Sequence, residues 1–153
     1  MGDRIMKYAF CIPGKPFAKR RARGFYNKSL GRSVTVNDPA NRSFEDIVRQ
    51  AAGQAVPAPI EGPVRLTVIA VFEIPKSWPK YRQAAAVGTL HTIKPDGDNC
   101  LKAVKDGMNR VAWRDDCQVG DARVVKVWGD RNETIVEVGP SPLAFIALGE
   151  ARD

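Results

Sequence analysis

Cysteine is scarce in this 153-residue chain, and its spacing is uninformative. Cys11, Cys100 and Cys117 form no CxxC pair, and His91 is the only histidine. An odd cysteine count without metal-ligand spacing excludes a disulfide framework and a Cys/His zinc site, and points to a reducing, cytoplasmic setting. Long apolar runs are also lacking. The stretch Ile5 to Ile12 is interrupted by Lys7 and closed by Pro13, far short of a secretion signal or a membrane span, so no membrane is expected as a partner. Acidic residues are nearly absent from the first 37 positions, where Asp3 is the only one.

What is present resembles an ordinary folded protein. Apolar residues make up 44% and charged residues 27%, which excludes a disordered or collagen-like chain. The length suits one domain that buries roughly two-thirds of the surface exposed by its unfolded form. The net charge of +7 is concentrated in one region. Residues 1 to 37 carry nine basic side chains, while the remaining residues carry fifteen basic and sixteen acidic ones. From 15 to 32, Lys15, Lys19, Arg20, Arg21, Arg23, Lys28 and Arg32 occur without an acid among them. Such a patch is the electrostatic footprint of a surface that binds a polyanion backbone, with a solubilising arm as the alternative. Phe17, Phe25 and Tyr26 interleave with these charges, either to meet bases or to anchor the segment to the core.

Periodicity and breakers outline the elements. Ile5 to Ile12 reads as a strand ended by Pro13-Gly14, and Phe25-Tyr26 with Ser33 to Val36 as a hairpin or extended excursion. Asn41 to Val56 has helical spacing and is stopped by Pro57 and Pro59. Val64 to Ile74 is rich in β-branched residues and reads as a central strand. Lys76 to Ala86 is a short helix candidate. Cys100 to Val111 is a helix with a stripe of Leu101, Val104, Met108 and Val111, capped by Asp98 or Asn99. Arg123 to Trp128 and Glu133 to Val138 read as antiparallel strands, and Ser141 to Asp153 as a short final helix. The order β, α, β, α, β, β predicts a single α/β (α+β) domain with a mixed sheet and helices packed on it.

Six acids fall between Asp96 and Asp121. If residues 96 to 98 are extended, Asp96 and Asp98 share one face, because alternate side chains project to the same side. Asp115-Asp116 stands where the chain returns towards its next strand, and could come back beside them. Three convergent carboxylates are hard oxygen ligands of the kind that hold Mg²⁺ or Mn²⁺. A calcium loop is excluded, since its fifth and sixth positions would be Cys100 and Leu101 and its twelfth Gly107, where oxygen ligands and a glycine are needed. Plain capping and turn chemistry remains the alternative for these acids.

The string KPDGDNCLKAVKDGMNRVAWRDDCQV, Lys94 to Val119, resembles the RusA family of Holliday junction resolvases, whose signature is close to K-P-D-x-D-N-x-x-K-A-x-x-D-A-L-N followed by W-x-D-D-x-Q-V. The flanking layout is also similar. The resemblance implies a homodimeric, Mg²⁺-dependent endonuclease (with Mn²⁺ as a substitute) that acts in recombination and repair, placing symmetric nicks in four-way, branched DNA. By motif position it makes Asp96, Asp98 and Asp116 metal ligands and Lys102 the basic group near the scissile phosphate, within a catalytic core of residues 91 to 121. Asp115, Asn99, Asp106 and His91 are candidates for supporting roles. Asp106 either pairs with Lys102 or is solvated, Asn99 caps or supports, and His91 transfers a proton or is structural. Cys100 and Cys117 read as packing residues. Gly107-Met108 departs from the family's Ala-Leu, at a helix cost of about 1 kcal/mol. A non-catalytic nucleic-acid-binding module, and a nuclease for flaps, single strands or duplexes, are the competing readings.

Overall fold

A computed structural model describes residues 6–142. Its elements run β1 (Tyr8–Pro13), β2 (Arg23–Asn27), β3 (Arg32–Val36), α1 (Pro39–Ala55), β4 (Val64–Glu73), α2 (Lys80–Ala86), α3 (Gly97–Met108), a 3-10 turn at Asp116–Gln118, β5 (Val119–Gly129) and β6 (Glu133–Pro140). The four-stranded sheet has the order β1-β6-β4-β5. β4 pairs with β5 in parallel and with β6 antiparallel, so the sheet is mixed and the fold is α+β, as the element order predicts.

β4 is the central strand expected from its β-branched run. Val64, Leu66, Val68 and Ala70 are fully buried on one face, alternating with half-buried Arg65, Thr67 and Ile69. Val48 and Ala52 of α1 and Val104 and Met108 of α3 complete the core over that face, and Trp113 closes it at the end of α3. The expected stripe of α3 holds for Val104 and Met108, while Leu101 and Val111 lie half-buried at its margin.

Several boundaries differ from expectation. The first strand begins at Tyr8, and Ile5 lies outside the described residues, as does nearly all of the expected tail helix. α1 starts two residues earlier than its apolar spacing suggests, because Asp38 accepts a hydrogen bond from Ala40 N at 2.9 Å and Pro39 opens the first turn. α2 begins only after Pro79 and has no buried residue. α3 begins at Gly97 with Asp96 as its N-cap and ends at Met108. Residues 96 to 98 are therefore not an extended pair of alternating side chains, and neither Asp98 nor Asn99 is the cap. β5 reaches back to Val119, since pairing with β4 extends it beyond what its own sequence signals. β5 and β6 run in opposite directions but do not pair, because β4 lies between them.

Gly107 has a packing role that helix propensity alone misjudges. A Cβ there would stand 2.6 Å from Val48 Cβ and 3.0 Å from the Glu45 carbonyl oxygen. The glycine is what lets α3 approach α1 this closely.

Candidate functional site

The turn that leads into α3 is held by β5. Lys126 donates from Nζ to the carbonyl oxygens of Ile93, at 2.6 Å, and Pro95. The peptide Lys94–Pro95 is cis. The helix start lies against the strand, since a Cβ on Gly97 would be in ordinary van der Waals contact with Val124 Cγ1, at 3.4 Å, and with Lys126 Cδ, at 3.6 Å. Asp96 and Asp98 are thereby set on a rigid corner, both exposed. Asp96 is an N-cap without a side-chain capping bond, so its oxygens are not spent on the helix. Asp98 lies in the first turn, where the helix dipole favours a carboxylate. Lys102 follows one turn later and is exposed. Cys100, buried beneath the corner, has its thiol pushed up, first by burial and then by the charges of Asp98 and Asp96, against a lowering effect of Lys126.

Asp116 sits elsewhere. α3 runs away from this corner for about 18 Å at 1.5 Å per residue, and the chain then forms the 3-10 turn beside the start of β4. Gln118 Nε2 donates to the Ile60 and Gly62 carbonyls there. Asp116 Oδ1 accepts a 2.9 Å hydrogen bond from the indole N–H of buried Trp113. Asp115 accepts from Cys117 N, which holds its carboxyl below the usual carboxylate range, and forms a reciprocal cap with Gln118. Among the described residues, no three His, Cys, Asp or Glu side chains come together as a metal-binding group. Asp96 and Asp98 thus both stand at the start of α3, while Asp116 lies beyond the far end of that helix within one chain.

The supporting candidates divide similarly. Asp106 pairs with Lys19, not with Lys102. The Asn99 carbonyl accepts from Lys19 N at 3.0 Å, so this residue holds the basic segment against α3. His91 is 5% exposed and lies between rings, stacked on Phe72 at 3.9 Å and tilted against Trp128 at 4.4 Å. Cys100 packs as expected, whereas Cys117 is exposed.

The basic segment splits into an anchor and a free part. Lys19 is paired with Asp106 and Glu45, and Arg20 with Asp38. Buried Asn41 clamps the backbone of Arg20 from both sides, accepting from its N–H and donating to its carbonyl, each at 2.8 Å. Phe17 stacks on Phe44 at 4.9 Å and belongs to the anchor. Arg21, Arg23, Lys28 and Arg32 are exposed on and beside the β2–β3 hairpin. Phe25 and Tyr26 are 51% and 63% exposed beside them. Lys15 is exposed near the 93–95 turn, where it lines a cavity together with Lys94.

Sequence reasoning missed Lys126 and Asn41. Both act on backbone that is remote in sequence, and an isolated lysine in a strand or asparagine in a helix carries no local signal of such a contact.

Residues 13–139 match the family described as endodeoxyribonuclease RusA. An uncharacterized protein of Bacillus subtilis (strain 168), YqaN, is 37% identical over 135 residues, which cover 84% of this chain and 92% of that protein. Among the described residues no helix is long and apolar enough to cross a membrane. With the family's span covering both the carboxylate corner at the start of α3 and the basic hairpin, the chain belongs to the RusA family of endodeoxyribonucleases.

Proposed function

We propose that this chain is a divalent-metal-dependent endonuclease that resolves four-way DNA junctions by paired symmetric nicks, working as a homodimer in the cytoplasm during recombination or repair. The observation that carries this reading is the pair of exposed carboxylates at the start of α3, free of capping duty and one turn from Lys102. Their donor chemistry suits Mg²⁺, with Mn²⁺ able to replace it, because Mg²⁺ is commonly held by one or two carboxylates together with substrate phosphate and water. A bound ion supplies an activated water and neutralises charge on the phosphoryl oxygens. Asp96 and Asp98 would hold the ion, and Lys102 would offer its ammonium to the phosphate. The exposed arginines and Lys28 of the hairpin, with Lys15, grip the backbone of the arms.

Asp116 joins this site in a homodimer. Within one chain it is separated from Asp96 by the length of α3, and only one of its oxygens is taken by Trp113. A two-fold arrangement that carries Asp116 of one subunit to the start of α3 in the other would complete the pair, and two such sites suit two opposed nicks.

The test is nicking of a synthetic mobile four-way junction in Mg²⁺, in Mn²⁺ and in EDTA, beside flaps, single strands and plain duplex. Asp96→Asn, Asp98→Asn and Asp116→Asn should each lose nicking by orders of magnitude while binding junction in Ca²⁺ at least as tightly as the parent, since a negative charge facing phosphate is removed. Lys102→Ala should lose nicking and bind slightly less well. Near-normal nicking by both Asp96→Asn and Asp98→Asn overturns the assignment.

A further inference from the structure

A cavity of about 570 Å³ opens beside the carboxylate corner, between the ends of β4 and β5 and the 91–95 turn. Its volume falls in the range of built ligand sites, roughly 300–1,000 Å³. Aromatic side chains form one wall: Phe72 and Trp128 on either side of His91. Lys15, Lys76 and Lys94 surround it, against Glu73 as the only acid. Such a lining suits a ligand with a flat, partly apolar body and an anionic group.

The imidazole supplies a second, independent observation. His91 is 95% buried, yet its Nδ1 has no hydrogen-bond partner. Buried polar atoms are ordinarily paired, and an orphaned one costs free energy until something meets it. Burial, then the charges of Lys126 and Lys15, push the imidazole's pKa below its ordinary value. A neutral imidazole offers one N–H donor and one acceptor nitrogen, and because the two diverge a ligand in the cavity meets one of them, as a single hydrogen bond to a base. Asn132 is also in the lining, and its Oδ1 already accepts from Glu73 N. Its amide N–H groups remain as donors.

We propose that this cavity takes one unpaired nucleotide of the substrate strand, with the base against the His91–Trp128 wall and the phosphate among Lys15, Lys76 and Lys94. The inference rests on the nuclease reading above. Lys94 is two residues from Asp96, so a nucleotide seated here neighbours the phosphate presented to Asp96 and Asp98. A base within a duplex is stacked and cannot enter, whereas a branch point lowers the cost of extruding one. The cavity therefore selects the branch, while the hairpin supplies affinity that does not depend on structure.

The test uses the full chain and exploits its single histidine, which gives one set of imidazole signals in NMR. The probes are 5′-deoxynucleoside monophosphates, with inorganic phosphate as the control. Saturable shifts at His91 and Trp128 are expected with at least one nucleotide, at least tenfold tighter than with phosphate. Ile93→Trp, at a 60% exposed position on the rim, and Lys76→Glu should each weaken that binding tenfold or more without lowering the melting temperature. In Ca²⁺, 2-aminopurine placed beside the branch point should change its emission on binding the parent chain and not on binding Ile93→Trp. Equal responses to nucleotide and phosphate, or nucleotide binding unaffected by Ile93→Trp, overturn the proposal. Nucleotide binding without any junction nicking defeats the nuclease reading and leaves the cavity assignment standing. Nicking with a silent His91 does the reverse.

Discussion

Lys126→Met offers the sharpest check on how the carboxylate corner is held. The substitution keeps most of the side-chain volume and removes an ammonium that donates to the Ile93 and Pro95 carbonyls. A hydrogen bond from a charged donor contributes about 1.5–3 kcal/mol where it is shielded, and less at the surface. The bond to Pro95 is partly buried and that to Ile93 exposed, so the pair should contribute about 1–3 kcal/mol together. For a chain of this size each kcal/mol corresponds to about 2–4 °C, which predicts a fall in melting temperature of roughly 2–12 °C. The same charge is the second cause, after burial, of the lowered His91 pKa. Removing it should let His91 titrate at higher pH, closer to the ordinary 6.5, as followed by NMR. With the turn loosened, Asp96 loses its fixed position, and nicking should fall more than junction binding does. A Lys126→Met chain that melts as the parent does, and whose His91 titrates at the same pH, would refute the claim that β5 positions the start of α3.

Three further outcomes follow from the geometry. Gly107→Ala should destabilise despite the better helix former: the crowding against Val48 and Glu45 should cost about 1–3 kcal/mol against a gain of about 1 kcal/mol, and a melting temperature equal to or above the parent's would contradict it. Replacing Arg21, Arg23, Lys28 and Arg32 by Ala should reduce the slope of log K against log salt on duplex arms by up to about 3.6, whereas replacing Lys19 and Arg20, which are paired with Asp106, Glu45 and Asp38, should mainly lower stability; equal slopes for the two sets would undo the division into anchor and grip. His91 has its folded pKa below the unfolded value, so its contribution to stability is complete above about pH 6.5 and declines as the pH falls from there towards the folded pKa. Chemical denaturation between pH 7.5 and 5 should show that decline, and His91→Phe should flatten it.

Much of the fold could be read locally. The β-branched run of β4 identified the central strand, and the i, i+3, i+7 stripe of α3 identified the helix, because burial on one face imposes a period that any short window displays. The basic segment and the D-G-D opening of α3 were equally visible, since charge and motif are properties of the chain itself. Tertiary structure decided what depends on distant partners. Pairing with β4 made β5 parallel and longer than its sequence signals, and kept it apart from β6. Close approach of α1 turned Gly107 from a weak helix residue into a packing requirement. Asp106 and Asn99 were claimed by Lys19, and the Phe17–Phe44 stack separated the anchoring part of the basic segment from its exposed part. The carboxylates show the division most clearly. Spacing alone allowed Asp116 to return beside Asp96 and Asp98, but a helix of 12 residues is a rigid rod, and the turn after it is tied to the start of β4, so the length of α3 keeps them apart.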